Sequence, residues 1–184
     1  MRIRKTILDD GFQQRLTEGA TLVGAPGIPM LMDLHNAQVP RDMIPFGKAR
    51  KCPDKRKYIH FYMHDREFSR VLTATDQYID LLKLYDGVIT PDCTLLIGQS
   101  PCLQQTNTYM NRAVGFYLQK NGIPVIPNIR WSDESSFEYC FLGVLSGGEL
   151  TAEVTADYLR REHLPDRAFS SEKARYYQPA GTMP

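Results

Sequence analysis

Five acids stand where apolar runs give way to polar ones: Asp33, Asp65, Asp92, Asp133 and Glu134. Carboxylates gathered from distant positions onto one rim can hold a divalent cation, or divide acid and base roles as mutual repulsion drives their pKa values apart. Hydrolysis of a glycosidic or phosphate bond is the chemistry that fits. Asp92 with Asp133 or Glu134 are the candidate catalytic groups, and Trp131, the only tryptophan, would supply an apolar or stacking wall. His60, Asn107, Asn111 and Arg112 are the candidate ligand contacts, Asn107 and Asn111 sharing a helix face at i, i+4. A plainer reading stands beside this one. Asp65 and Asp133 cap helices, Asp33 is solvated, and no cluster forms.

Other chemistries find less support. His60 and His64 have a metal-binding spacing only on a helix; on a strand, at about 3.3 Å per residue, they lie roughly 13 Å apart and cannot share an ion. No metal ligand is assigned. Cys52, Cys93, Cys102 and Cys140 form no C-x-x-C pair and read as free thiols, a catalytic one needing a nearby base. Neither G-x-x-x-x-G-K-[ST] nor G-x-G-x-x-G occurs, so no nucleotide cofactor is implied and the cofactor stays open, with a divalent cation allowed. Leu145-Ser146-Gly147-Gly148-Glu149 looks like a transporter ATPase signature, but that loop works only with the missing Walker motif. The cations Lys48, Arg50, Lys51, Lys55, Arg56 and Lys57 fill a proline-bearing loop over residues 36–57. Lys48, Lys51, Arg56 and Lys57 could track a nucleic-acid backbone; a solvated loop is the alternative.

Convergence of the acids requires parallel strands, because ligands meet such sheets at the carboxyl ends. The sequence supplies the strands and helices in alternation. Ile28 to Asp33 reads as a first strand with its proline at the start. Tyr58 to Met63 reads as a second, Val88 to Asp92 as a third, and the apolar run from Gly122 as a fourth that is covered on both faces. Pro127 marks an edge or a bulge there, and irregular backbone from Asn128 to Asp133 would suit a binding mouth. Between them lie helices over 66–72 and 76–85, and a long one announced by Ser100-Pro101 and stopped by Asn121-Gly122. Ser135 and Glu138 fit a capping box opening a short helix to about Leu142. A further helix spans 151–163. The expected fold is therefore α/β: repeating βα units, a mostly parallel sheet of about four strands, and a partial TIM-barrel-like architecture. Residues 1–20 read as a leader or short helix, 21–145 as the domain, and 146–184 as a helix with a loosely ordered tail.

The totals agree with one core. The chain has 184 residues, 42% of them hydrophobic and 10% aromatic. A formal net charge of +1 does not favour nucleic acid as a partner, and nothing in the sequence names another. The charged start, interrupted by Asp9 and Asp10, is unlike a signal peptide, and no apolar run approaches the roughly 20 residues of a membrane span. A cytoplasmic protein without membrane attachment is the expectation.

Several motifs carry a family resemblance: Gly27-Ile28-Pro29, Val39-Pro40, Phe46-Gly47-Lys48-Ala49, His60-Phe61-Tyr62, Tyr78-Ile79 through Asp86, Thr90-Pro91-Asp92, Asn107-Thr108-Tyr109 with Asn111-Arg112, and Asn121-Gly122 through Trp131-Ser132-Asp133-Glu134-Ser135-Ser136-Phe137. Over residues 20–143 the chain resembles a family of bacteria, phages and mobile elements known as a domain of unknown function, numbered 4417. The family pattern continues into another strand and helix with a Gly-Cys, which the chain does not follow after Ser146. The resemblance implies no established activity. Two functions remain: a hydrolytic α/β domain, or a non-catalytic mobile-element protein gripping nucleic acid or a host protein through loop 48–57.

Overall fold

Short apolar runs become parallel strands where the chain between them is long enough to return, through helices between the later strands and through residues 46–57 between the first two. The computed structural model describes residues 13–32 and 40–144. After a single 3-10 turn at Gln14–Thr17 come β1 (Leu22–Val23) and β2 (Ile28–Pro29), an antiparallel hairpin. The main sheet then follows: β3 (Met43–Pro45), β4 (Tyr58–His60), α1 (Asp65–Thr73), α2 (Ile79–Leu82), β5 (Gly87–Ile89), α3 (Pro101–Lys120), β6 (Val125–Ile126) and α4 (Phe137–Cys140). Its four strands are all parallel and lie in sequence order, β3-β4-β5-β6, with Ile44 opposite Ile59, Ile59 opposite Val88, and Val88 opposite Val125.

Two strand expectations change. Ile28–Pro29 does form a strand, but it pairs with Leu22–Val23 instead of joining the parallel sheet. The first parallel strand is Met43–Pro45, inside the tract read as loop. Its prolines concealed it. Because β3 is an edge among the described residues, Pro45 costs no ladder hydrogen bond on its open side. Among the described residues β6 is the opposite edge, which agrees with the interruption Pro127 implied.

The strands alternate. Ile44, Ile59, Phe61, Val88 and Val125 face a core built with Phe68, Val71 and Leu72 of α1, Ile79 and Leu82 of α2, and Ala113, Val114 and Leu118 of α3. Tyr58, Ile89 and Ile126 form a second cluster with Met43 and Tyr62, on the other face. The strands thus follow one another in sequence order, and α1, α2 and α3 pack on one face of the sheet. The helix over 76–85 splits into a 3-10 turn at Thr75–Tyr78 and α2.

α3 is pinned on both sides. A Cβ at Gly115 would lie 2.7 Å from Thr90 Cγ2 and 2.9 Å from Leu31 Cδ2, so the helix passes the sheet and the segment after β2 at the closest approach a glycine permits. Farther along, Gln119 Oε1 accepts from the Met32 N–H at 2.8 Å and its Nε2 donates to the Met32 carbonyl at 3.0 Å. Near the same end, Asp76 accepts from Tyr117 Oη at 2.5 Å and from Arg15 Nη2 at 2.6 Å. Asp33, His35, the leader up to residue 12, and everything from 145 on, including the helix expected at 151–163, lie outside the described residues.

Candidate functional site

Beyond β5 the chain runs Thr90-Pro91-Asp92-Cys93, and beyond β6 it runs Pro127-Asn128-Ile129-Arg130. These two strand ends are adjacent, and their polar groups interlock. Thr90 Oγ1 accepts from the Asn128 N–H at 2.7 Å. Asp92 accepts from Asn128 Nδ2 at 2.8 Å on one oxygen and from Arg130 Nη1 at 2.6 Å on the other. The Asp92 side chain is 15% exposed and Arg130 38%, so the pair sits at the mouth of the sheet rather than in its core.

α3 supplies the support. Asn111 Nδ2 donates to the carbonyls of Pro91 at 2.6 Å and Asn128 at 3.2 Å, tying the two strand ends to one helix position. Arg112 is 1% exposed and reaches the carbonyls of Asn128 at 3.1 Å, Cys140 at 2.8 Å and Leu142 at 2.9 Å, with a further bond to Asn111 Oδ1. Burial lowers its pKa to about 10. One turn earlier, Asn107 Nδ2 donates to the Thr94 carbonyl, while Asp65, in the first turn of α1, accepts from the Thr94 N–H at 3.0 Å and hydroxyl at 2.7 Å. Asp65 thus holds the loop after β5, in place of the capping role read from the sequence. His64 precedes α1, its N–H donating to Glu67 Oε1 at 3.3 Å.

The pair of acids after Trp131 divides. Asp133 Oδ1 accepts from the Ser135 N–H at 3.0 Å and hydroxyl at 2.6 Å, capping the 3-10 turn Glu134–Ser136. The capping box expected from Ser135 is therefore replaced by a cap from Asp133, two residues earlier. Glu134 is exposed. Trp131 packs against Phe137 and Phe141, each with ring centroids 6.1 Å away, in a cluster with Leu95 and Tyr139. The structure brings Asp92, Asn111 and Arg112 together through Asn128; it places Asn107 beside Thr94 and Trp131 in an aromatic cluster.

His60 lies at the end of β4, 2% exposed and stacked on Tyr62 at 5.0 Å, its Nδ1 accepting from the Tyr62 N–H at 3.3 Å. Burial lowers its pKa from 6.5 to about 4. A depressed histidine takes up its proton in the unfolded chain first, so the stability it preserves is full above pH 6.5 and is lost as pH falls towards about 4. We expect a loss of up to about 3 kcal/mol over that window, from about 1.4 kcal/mol per pKa unit. Urea denaturation at stepped pH checks it, and His60→Asn should flatten the slope.

Sequence reasoning flagged the segment from Asn128 to Asp133 but not its working members. Asn128 and Arg130 were missed as individual residues, although both follow an apolar strand directly. Gln104 was missed altogether. It is 3% exposed, accepts from Ser132 Oγ at 2.6 Å and Tyr139 Oη at 3.2 Å, and donates to the Gln99 carbonyl at 2.9 Å. A glutamine on a helix carries no signal of that kind.

The cysteines are free thiols, Cys93 and Cys140 buried, Cys102 exposed. Burial raises the pKa of Cys93, with Asp65 and Asp92 adding to the effect, and raises Cys140 to about 12. Neither is an activated nucleophile. Among the described residues no group of three or more His, Cys, Asp or Glu is placed to hold a metal ion. Among them, too, no helix is long and apolar enough to cross a membrane.

The basic tract is not one patch of free cations. Lys57 pairs with Asp42, Arg56 with Asp54 at 3.2 Å, and Lys55 Nζ donates to Ala49 O at 3.0 Å and Tyr85 Oη at 3.1 Å. Arg50 lies over the Tyr78 ring at 5.8 Å. Lys48 and Lys51 are exposed and without a partner among the described residues.

A parallel α/β sheet with a polar hub at two adjacent strand ends defines the class. The chain belongs to the family described as Domain of unknown function (DUF4417), whose model matches residues 20–176. That match continues past Ser146, where the family pattern was lost in the sequence reading. Curated relatives are two phage proteins, each called Gene 1 protein. That of Mycobacterium phage L5 is 30% identical over 116 residues, covering 59% of this chain and 51% of the relative. That of Mycobacterium phage D29 is 28% identical over 106 residues, covering 54% of this chain and 39% of the relative. The chain thus spans about half the length, or less, of the curated relatives it matches. No solved structure matches the chain.

Proposed function

We propose that the chain is a hydrolytic α/β domain acting on a glycosidic or phosphate bond, with its reacting centre at the carboxyl ends of β5 and β6. The observation that carries this reading is Asp92: a carboxylate at a strand end, accepting from Asn128 and Arg130 and still partly open to solvent. A side chain fixed by such supports loses little entropy on meeting a ligand, which is what a positioned acid, base or nucleophile requires. Asp133 caps the 3-10 turn, and Glu134, its exposed neighbour, is the second carboxylate in this reading. Asn111 and Arg112 position the site through Asn128 and touch no substrate. The observations favour this reading over a grip on nucleic acid through residues 48–57, because four cations of that tract already have partners.

The test is turnover of chromogenic phosphate esters and glycosides by the full chain and by Asp92→Asn. The substitution keeps the side chain's shape but replaces one of its two acceptor oxygens with an NH2 donor, so one of the bonds from Asn128 and Arg130 is lost, and we expect activity to fall about 100-fold or more with the thermal midpoint within a few degrees of the parent. Activity unchanged in a folded Asp92→Asn protein, or no turnover of either substrate class by the parent, overturns the reading.

A further inference from the structure

We propose that the turn Asn128-Ile129-Arg130 is a phosphate-binding site, so that the ligand taken at the carboxyl ends of β5 and β6 is a phosphate ester; the choice of substrate class rests on the hydrolytic reading above, whereas the binding itself does not. Arg130 spends one guanidinium bond on Asp92 and has no other partner among the described residues. A guanidinium carries five N–H donors in a planar fork, and this one is 38% exposed. Beside it, the backbone N–H groups of Ile129 and Arg130 donate to nothing among the described residues, although both residues are half-buried. Two successive unengaged amides next to a guanidinium are a donor set suited to an oxyanion.

Electrostatics point the same way. Arg112, directly behind Asn128, meets three carbonyls and an amide oxygen but no carboxylate. Of the nearby carboxylates, Asp92 is paired with Arg130 and Asp65 is turned to Thr94 on the α1 side. The outward-facing donors are those of Arg130. A glycoside would instead need an open aromatic platform, and the Trp131 ring is packed against Phe137 and Phe141.

The test is titration of the full chain with inorganic phosphate and with thymidine monophosphate at constant ionic strength, followed by amide NMR shifts and by calorimetry. Shifts centred on the Ile129 and Arg130 amides, and affinity lowered about tenfold or more in Arg130→Ala, are expected. Arg130→Lys, which keeps the charge and loses the fork, should recover only part of it. Shifts centred on Lys48 and Lys51, or affinity unchanged in a folded Arg130→Ala, overturn the site. Asp92→Asn separates the two proposals: it removes negative charge from the ligand's neighbourhood, so phosphate binding should persist or tighten while turnover is lost. Arg130-dependent phosphate binding without any turnover leaves the site standing and sinks the hydrolytic reading. Glycoside turnover without phosphate binding does the reverse.

Discussion

Arg112→Ala is expected to lower the stability of the chain by on the order of 4 kcal/mol, a large part of the 5–15 kcal/mol that holds a typical domain together. Arg112 is enclosed by protein, and its guanidinium satisfies the carbonyls of Asn128, Cys140 and Leu142 at once. Truncation leaves those acceptors without donors in a volume that the old side chain filled. Each buried orphan costs about 1–3 kcal/mol, partly recovered if water enters the cavity. Buried ion pairs can often be exchanged for apolar side chains without loss, because both charges leave together. That escape is closed here. The acceptors are backbone atoms, which no substitution at residue 112 removes, so Arg112→Met should be nearly as damaging as Arg112→Ala. Arg112→Lys should rescue little, since one ammonium cannot replace a planar fork that spans three carbonyls. Urea denaturation checks the series, with the midpoint falling and the slope unchanged. An Arg112→Met protein as stable as the parent would show that the three carbonyls find other donors.

How much of this was legible in the sequence differs by element. α3 was read at 100–121 and found at Pro101–Lys120, because a 20-residue amphipathic run between Ser-Pro and Asn-Gly leaves few alternatives. The strands at Tyr58, Val88 and Val125 were read for the same kind of reason: apolar runs bounded by turn residues. Met43–Pro45 was lost because three residues carry no period, and Pro40 ahead of them and Pro45 at their end look like loop until the partner strand is known. Ile28–Pro29 shows the converse, since composition proposes a strand but cannot name its neighbour. Of the site, Asp92 was legible from its place after a strand. Its supports were not. Arg112 was named only as a ligand contact and Asn128 and Arg130 not individually; all three act through contacts 16 to 38 residues away along the chain, and single-sequence reasoning has no access to such pairings. Asp133 was read both as a catalytic acid and as a cap; the cap is the contact the structure makes.

Gly143→Ala should cost on the order of 3 kcal/mol, by two mechanisms that a second glycine can separate. Gly143 has φ +76°, so any side chain there adopts a left-handed backbone at about 1–2 kcal/mol. Its hypothetical Cβ would also sit 2.3 Å from the Pro29 carbonyl oxygen and 3.2 Å from Ile28 Cγ2. That neighbour is backbone, and the Gly143 carbonyl itself accepts from the Leu31 N–H at 2.8 Å, so neither segment can withdraw without breaking the joint between the end of α4 and the segment after β2. Gly98 has almost the same φ, +79°, with nothing within 4 Å of a Cβ. Gly98→Ala should therefore show the backbone strain alone, about 1 kcal/mol, and the difference between the two variants measures the collision with Pro29. The consequence reaches the hub. Leu142, whose carbonyl accepts from Arg112, precedes Gly143 directly, so movement forced at 143 should loosen the Arg112 clasp and weaken binding of phosphate at Arg130. Paired urea denaturation curves, with phosphate titration of the folded Gly143→Ala protein, test both halves. Equal costs at Gly98 and Gly143 would remove the joint, and with it the mechanical link from the hairpin to the strand ends.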